Sequence, residues 1–318
     1  MKIEIIICTY NRAEKLKGAI QSILDAEVPE NTTVRLILVN NNSTDNTKRV
    51  IKEFLINKQI ETIYLFELKQ GKSNALNTAL MNITGDLIAF TDDDVTVDKS
   101  WIKEMVDTLK KYMGYSCFGG RVVAVYPDNM PAWFDINGSM KFLKSAFVDR
   151  DDGDLEVEYG TNTISGAPGG CNMFFRKAVI VKNGFFRTDL GHIGNDLGFS
   201  EDTEYCQRLM EKGERFMYIP SAIVYHPVHS GRLSKDYLLM WQYKCGISEV
   251  RRSKGYKNAV RLFGVPRYIY RKFIQHAAGW CFSCQSRKRF YHKLRLYYTS
   301  GEIVEHMRLW YKGLKNNN

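Results

Sequence analysis

The sequence predicts an α/β fold: a mostly parallel, Rossmann-like sheet flanked by helices, followed by a helical, basic C-terminal appendage. Three observations predict it. Short apolar runs alternate with amphipathic segments through the first third of the chain. Polar clusters recur where each of those runs ends. The Lys and Arg excess is confined to the last 89 residues. Taken in order, residues 3–8 read as a first strand, and Leu16, Ala19, Ile20, Ile23 and Leu24 follow at helical spacing. Residues 34–39 are a second strand, and Val50, Ile51, Phe54 and Leu55 mark the next helix. Residues 62–66 are a third strand, Ala75, Leu76, Ala79, Leu80 and Ile83 a third helix, and residues 86–91 a fourth strand. A β-α-β-α order calls for a parallel sheet covered on both faces.

The middle of the chain is less regular. Residues 101–112 read as a helix and 117–126 as a strand. Residues 127–169 are long, aromatic and poorly periodic, as functional or mobile loops are. Residues 170–176 are a strand, 200–212 a helix with acids in its first turn, and 216–225 a last strand interrupted by Pro220. The division expected is a domain over residues 1–230 and a helical region over 231–318.

Net charge is +10. Residues 230–318 hold 19 Lys and Arg against 4 Asp and Glu, and the remainder 26 against 31. A one-sided basic tail suits an anionic surface. Seven Cys, an odd number without disulfide-like spacing, point to reduced thiols and a cytosolic setting. Cys281 and Cys284, with His276 and His292 near in sequence, admit a zinc site; the lack of a second Cys pair favours an incidental one. Met1-Lys2-Ile3-Glu4 reads directly as strand rather than as a leader. No run approaches the length of a membrane-spanning helix. Disorder is expected only in the last few residues.

Two nucleotide motifs are excluded. No G-x-G-x-x-G follows the first strand, and Gly71-Lys72-Ser73 lacks the earlier glycine of a phosphate loop, Phe66 standing in its place. What remains are four polar clusters at the carboxyl ends of strands, where α/β sheets bind ligands: Thr9-Tyr10-Asn11-Arg12, Asn40-Asn41-Asn42-Ser43, Lys69-Gln70-Gly71-Lys72 and Asp92-Asp93-Asp94. Three adjacent carboxylates repel unless a cation joins them. Oxygen-only ligands on a loop favour a hard divalent ion such as Mg²⁺ or Mn²⁺, which in turn suits a diphosphate.

As an ordered set these motifs resemble the inverting family 2 glycosyltransferases of GT-A fold, over residues 3 to about 230. Ile7 to Arg12 is similar to the family's opening strand and turn, and Val39 to Thr47 to its second nucleotide-contacting turn. Gly71 to Asn77 resembles the segment beside the diphosphate, and Thr91-Asp92-Asp93-Asp94 the metal-binding D-x-D. Gly169 to Arg176 looks like the acceptor-side strand, and Gly198-Phe199-Ser200-Glu201-Asp202 like the catalytic G-x-x-E-D. The resemblance implies that Thr9, Tyr10, Asn11, Arg12, Asn40, Asn41, Lys72, Asn74, Asp92 and Asp93 bind a nucleoside-diphosphate sugar. It implies that Asp94, Asp92 and His226 hold Mn²⁺ or Mg²⁺, and that Asp202, with Glu201 beside it, is the catalytic base. An ion there would stabilise charge on the leaving phosphate, and a carboxylate at a helix start would stay ionised as a base must. Capping is the plainer role for Glu201 and Asp202 taken alone. The family's second turn usually begins with Asp; Asn40 and Asn41 stand there. The base identity is therefore open: the resemblance favours a UDP-sugar, and GDP- and dTDP-sugars are possible. Asp45 can cap the following helix.

In the tail, Ile269, Tyr270, Phe273, Ile274, Ala277, Trp280 and Cys281 recur at helical spacing over residues 267–282, with a similar pattern over 287–298. These helices suit either an anionic membrane surface or packing on the catalytic domain. Nucleic acid is disfavoured because no reader motif accompanies the charge. The reading is a metal-dependent transferase acting on a glycan or lipid-linked acceptor in cell-surface polysaccharide synthesis, cytoplasmic and peripheral on the cytosolic membrane face. The alternatives are a sugar-phosphate nucleotidyltransferase, whose Gly-rich Arg-Lys loop Thr9 to Arg12 does not match, and a non-catalytic sugar- or membrane-binding protein.

Overall fold

The computed structural model describes residues 1–56, 60–138, 140–160, 166–192, 198–253 and 259–316. Two compact units are present. The first is Met1–Val125, Phe147–Gly194 and Glu201–Pro227; the second is Tyr126–Ala146, Asn195–Ser200 and Val228–Asn318. The first therefore ends at Pro227, and the second takes two segments from the middle of the chain.

In the first unit the opening strands and helices fall where their periodicity puts them: β1 (Lys2–Thr9), α1 (Ala13–Leu24), β2 (Thr33–Asn40), α2 (Thr47–Leu55), β3 (Glu61–Phe66), α3 (Lys72–Leu80) and β4 (Leu87–Asp92). Then come β5 (Thr96–Val97), α4 (Trp101–Lys111), β6 (Cys117–Val125), β7 (Val157–Glu158), β8 (Met173–Arg176), α5 (Lys177–Asn183), α6 (Glu201–Glu211) and β9 (Phe216–Pro227). The sheet order is β3-β2-β1-β4-β8-β6-β9-β5, with β7 also on β9. β1 to β4 pair in parallel, β8 runs antiparallel between β4 and β6, and β6 pairs in parallel with β9.

Side chains of a strand alternate between faces, so β1 feeds two cores. Ile3, Ile5 and Ile7 pack with α1, α2 and α4; Ile6 packs with α3, α5 and α6. Register then aligns the strand ends: Thr9 lies opposite Asn40, Cys8 opposite Asp92, and Asn40 opposite Phe66. The loops that follow these residues are brought to one edge.

Three expectations need correction. The strand at 170–176 begins only at Met173, because Asn172 closes a turn onto the Gly169 carbonyl (2.9 Å). Helix α5, which follows it directly, has no counterpart in the sequence reading; seven residues are too few to show a period. Pro220 does not break β9. It lies where the register with β6 jumps, Gly120 facing Ile219 and Arg121 facing Ile223, so a residue without N–H sits in the bulge. Asn172 repairs that bulge. Its amide donates to the carbonyls of Arg121 and Ala222 (both 2.8 Å), and its side-chain oxygen accepts the Trp101 indole N–H (2.9 Å). A Cβ on Gly120 would lie 2.2 Å from the Ala222 carbonyl.

The stretch 127–169 contains a 3₁₀ helix, Lys141–Phe147, and β7; residues 139 and 161–165 lie outside the described residues, as do the last two asparagines. In the second unit, α7 (Lys235–Ser253) is followed by the hairpin β10 (Arg261–Leu262) and β11 (Val265–Pro266), then α8 (Arg267–Phe282) and α9 (Ser286–Asn316). The helix read over 287–298 thus runs on to Asn316. α7 and α9 cross with their backbones in contact: a Cβ on Gly246 would meet the Tyr298 carbonyl at 2.0 Å, and one on Gly301 the Tyr243 carbonyl at 2.1 Å. All seven cysteines are free, with Cys281 and Cys284 exposed. His276 faces His292 instead, Nδ1 to Nδ1 at 3.2 Å. No helix among the described residues is long and apolar enough to cross a membrane.

Asn172→Ala strips two buried carbonyls and an indole N–H of their partners at once. A loss of roughly 2–5 kcal/mol is expected, read as a lower urea midpoint at unchanged slope.

Candidate functional site

The edge is built first by loops that fasten one another. Asn11, in the left-handed region at φ 51°, donates its N–H to Ser43 Oγ (3.0 Å) and accepts from the Thr44 N–H through its side chain (2.7 Å). Asp45 accepts from the N–H groups of Ala13 (3.1 Å) and Thr47 (3.0 Å), the first residues of α1 and α2. Burial would raise its pKa, but the hydrogen bonds from Thr47 and Ala13 hold it below the usual carboxylate value. Thr9 is buried, Tyr10 half-buried and Asn11 exposed.

Asn40 and Asn41 are buried, and their side chains are spent on the turn. Asn41 donates to the carbonyls of Glu67 (3.2 Å) and Lys69 (2.9 Å) and accepts from Gly71 (2.8 Å); Asn40 accepts from Ser43 (2.9 Å). The sequence reading gave these amides to the nucleobase; here they shape the loop that delivers Lys72. Asn74 is likewise turned back, onto the Gln70 carbonyl (3.0 Å).

The aspartate triplet is partitioned among cations. Arg12 donates to Asp93 (2.8 Å) and Asp94 (3.1 Å), and Lys15 Nζ lies 3.7 Å from Asp94. Asp92 faces the other way, to Lys72 Nζ (2.7 Å). Burial would raise the Asp92 pKa, yet Lys72 overrides it and keeps the carboxylate below its ordinary value. For Asp93 burial wins: despite Arg12, and with Asp94 adding repulsion, its pKa is pushed up to about 6. His226, buried near the end of β9, has Nε2 3.8 Å from Asp94.

Lys72 links the triplet to α6. Its backbone N–H is held by the His192 carbonyl (2.8 Å), and its ammonium also lies 3.8 Å from Glu201. Burial opposes its charge, but Asp92 and then Glu201 outweigh that and raise its pKa well above normal. Glu201 is buried and pushed up to about 7, by burial first and then by the neighbouring Asp202 charge. Asp202 is oriented by backbone: Oδ2 accepts from Gly170 (2.9 Å) and Oδ1 from Thr203 (2.6 Å). A Cβ on Gly170 would sit 2.6 Å from Oδ2, so the glycine is required there. Cys171, next to it, has its thiol pushed far up by burial and then by the charge of Asp92, a mark of how close these groups lie.

Lys15 and Gly191 escaped the sequence reading. Lys15 follows Arg12 by one helical turn, a spacing that was there to be seen. Gly191, at φ 89° and with Glu201 and Ser73 both 3.2 Å from where a Cβ would stand, carries no signal in a single sequence. Among the described residues no three His, Cys, Asp or Glu side chains converge as a ready-made metal cage. Asp94 and His226 nonetheless form an oxygen–nitrogen pair of the kind divalent ions take, and Asp92 stands on the same loop.

Residues 4–181 match the family described as Glycosyl transferase family 2. The succinoglycan biosynthesis protein ExoM of Rhizobium meliloti is 26% identical over 249 residues, 77% of this chain and 73% of that protein. The glucosyl-dolichyl phosphate glucuronosyltransferase of Haloferax volcanii is 26% identical over 254 residues, covering 78% and 76%. Among solved structures, the mannosyltransferase PcManGT from Pyrobaculum calidifontis, in complex with GDP-Man and Mn²⁺, matches at TM-score 0.60 and 15% identity, over 98% of this chain and 87% of that one. S. aureus TarS 1-349 in complex with UDP-GlcNAc matches at TM-score 0.57 and 15% identity, over 100% and 93%. These two likenesses concern the fold, which is GT-A.

Glu201 supplies a test that needs no substrate. Folded, it keeps its proton up to about pH 7; unfolded, a glutamate loses it near ~4.3. Between those values the folded state binds more protons, so this stabilising contribution is complete below the lower value and lost as pH rises through the upper one. The stability of Glu201→Gln relative to the parent, by urea unfolding, should rise by roughly 1–3 kcal/mol from about pH 4 to about pH 8. A constant difference would refute the protonation assigned to Glu201.

Proposed function

The chain belongs to glycosyl transferase family 2, and on that premise we propose that it is a metal-dependent, inverting enzyme moving a sugar from a nucleoside-diphosphate sugar to a glycan or lipid-linked acceptor. The observation that carries this reading is the link from Asp92 through Lys72 to Glu201, which joins the aspartate loop to the helix that carries the oriented carboxylate of Asp202. The solved neighbours support the donor class, one holding GDP-Man with Mn²⁺ and another UDP-GlcNAc. A UDP-sugar is the favoured donor, with GDP- and dTDP-sugars as alternatives; Asn40 and Asn41, their amides turned inward, leave the base open. The names of the curated relatives support an acceptor in polysaccharide or lipid-linked glycan synthesis. A setting at the cytosolic face of a membrane follows from such an acceptor.

Asp94, His226 and Asp92 would hold the divalent ion, whose contribution is to stabilise charge on the departing diphosphate as a Lewis acid. Lys72 adds a fixed positive charge beside Asp92. Arg12 and Lys15 balance Asp93 and Asp94 while the turn after β1 keeps Thr9, Tyr10 and Asn11 beside the donor. On the acceptor side, Asp202 takes the proton of the attacking hydroxyl. Its Oδ1 accepts from both the N–H and the hydroxyl of Thr203, whereas Oδ2 accepts only from the Gly170 N–H and keeps a lone pair for that proton. The acceptor oxygen bonds to the anomeric carbon from the face opposite the nucleoside diphosphate, which leaves with the electron pair of the broken bond. The configuration inverts. Glu201, held by burial near neutrality, positions Lys72 and carries no proton of the reaction.

Asp202→Asn should reduce transfer by at least ~10²–10⁴-fold while donor affinity stays within a factor of two or so. Asp94→Ala should weaken donor binding itself and remove its response to Mn²⁺. Release of nucleoside diphosphate measures the first, and thermal shift with each nucleoside diphosphate, with and without chelator, the second. Equal turnover by Asp202→Asn and the parent eliminates the base, and release of pyrophosphate from a nucleoside triphosphate identifies a nucleotidyltransferase instead.

A further inference from the structure

From Arg267 to Ser300 the chain has eight Lys and Arg and not one Asp or Glu. This span contains α8 and the first half of α9. α8 buries one side chain, Ile269. Its inward face meets α9, with His276 against His292 and Lys293 over the Trp280 ring. Its opposite face is open. Arg267, Arg271, Ile274, Ala278 and Phe282 recur three or four residues apart and so form one stripe along the helix, all exposed. Ile274 is 66% exposed and Phe282 83%. The stripe is segregated: cations at its first two turns, apolar groups along the rest. Arg287, Lys288 and Arg289 then follow at the start of α9, all exposed, with Arg287 also reaching Asp135 at 3.4 Å.

We propose that this face of α8, with the basic start of α9, docks on a bilayer surface bearing anionic headgroups. Apolar side chains left in water at both turns of one stripe, bracketed by cations at either end, match a layer with acyl chains below and phosphate above. A second copy of the chain would set the same acid-free span against itself and be repelled. A nucleic acid would take the cations but leave Ile274 and Phe282 without apolar partners. The proposed lipid-linked acceptor gives the docking its purpose, and only that clause rests on the transferase reading.

The test is flotation of the full chain with vesicles, without donor, acceptor or metal, so its result is independent of whether transfer occurs. Binding is expected to phosphatidylcholine vesicles containing about one-third phosphatidylglycerol, to be absent on pure phosphatidylcholine, and to weaken as salt rises. Phe282→Ser with Ile274→Ser should weaken it roughly tenfold or more. Arg271→Gln with Lys288→Gln should weaken it roughly thirtyfold. All four side chains lie at the surface, so the melting temperature should hold; the two pairs test the apolar and the charged parts separately. No binding, equal binding to neutral vesicles, or insensitivity to the serine pair overturns the proposal. Salt-sensitive capture of duplex DNA untouched by the serine pair would assign the face to nucleic acid, and a dimer dissolved by that pair would assign it to a second copy.

Discussion

Five carboxyl groups, Asp92, Asp93, Asp94, Glu201 and Asp202, are crowded at the ends of β4 and α6, and their mutual repulsion has to be balanced there. Three cationic side chains do so, each from a different position: Arg12 from the turn after β1, Lys15 from the first turns of α1, and Lys72 from the start of α3. The balance is uneven. Asp92 has Lys72 and is held ionised, whereas Asp93 and Glu201 are driven toward protonation by burial and by their neighbours. A site left with surplus negative charge after its own cations are counted is one into which a further cation is drawn. That residual attraction is the physical content of the metal requirement proposed for this enzyme.

The parallel register makes this crowding obligatory. With Thr9 opposite Asn40 and Cys8 opposite Asp92, successive loops emerge side by side, and those after β1, β2 and β4 cannot be moved without shifting a strand buried on both faces. The loops then bind one another: Asn11 to Ser43 and Thr44, Asn41 to the 67–71 turn, Lys72 to His192. The last of these matters most for chemistry. It ties the helix carrying Lys72 to the segment just before α6, and Ser73 repeats the tie on Leu190 (3.0 Å). Lys72 therefore meets Asp92 and Glu201 through rigid elements rather than through a free side chain finding them.

Strands β1 to β4 and helices α1 to α4 were legible because each has a clear period and ends in a polar cluster, and because parallel strands bury both faces. The convergence of those clusters was legible for the same reason. What the sequence concealed was the direction of side chains within the clusters. Asn40 and Asn41 sit where a nucleotide-contacting residue was expected; Asn41 bonds carbonyls of the next loop, and Asn40 bonds the Ser43 N–H of its own turn. Only three-dimensional neighbours decide that. Pro220 was misread as a break because a bulge anchored by Asn172, some fifty residues away, accommodates it. Helix α7 lies in the region read as helical but was given no bounds, because apolar and charged residues alternate around its whole circumference.

The charge division along the chain bears on the order of events. Residues 1–229 hold more acids than bases, and a nucleoside diphosphate is itself an anion, so the charge of this part of the chain, taken alone, opposes the donor. Lys72, Arg12 and Lys15 do not change this, since each is already committed to an aspartate. A divalent cation reverses the local sign and turns an edge that repels the donor into one that attracts it. On this reasoning the ion precedes the donor or arrives complexed to its diphosphate, and donor affinity measured in chelator should rise with salt, where screening weakens the repulsion, rather than fall as it would at an ordinary cationic phosphate site. Calorimetric titration at two ionic strengths reads the sign of that dependence. A fall with salt in chelator would mean that the side-chain cations already suffice to hold the diphosphate, and that the ion serves the leaving group alone.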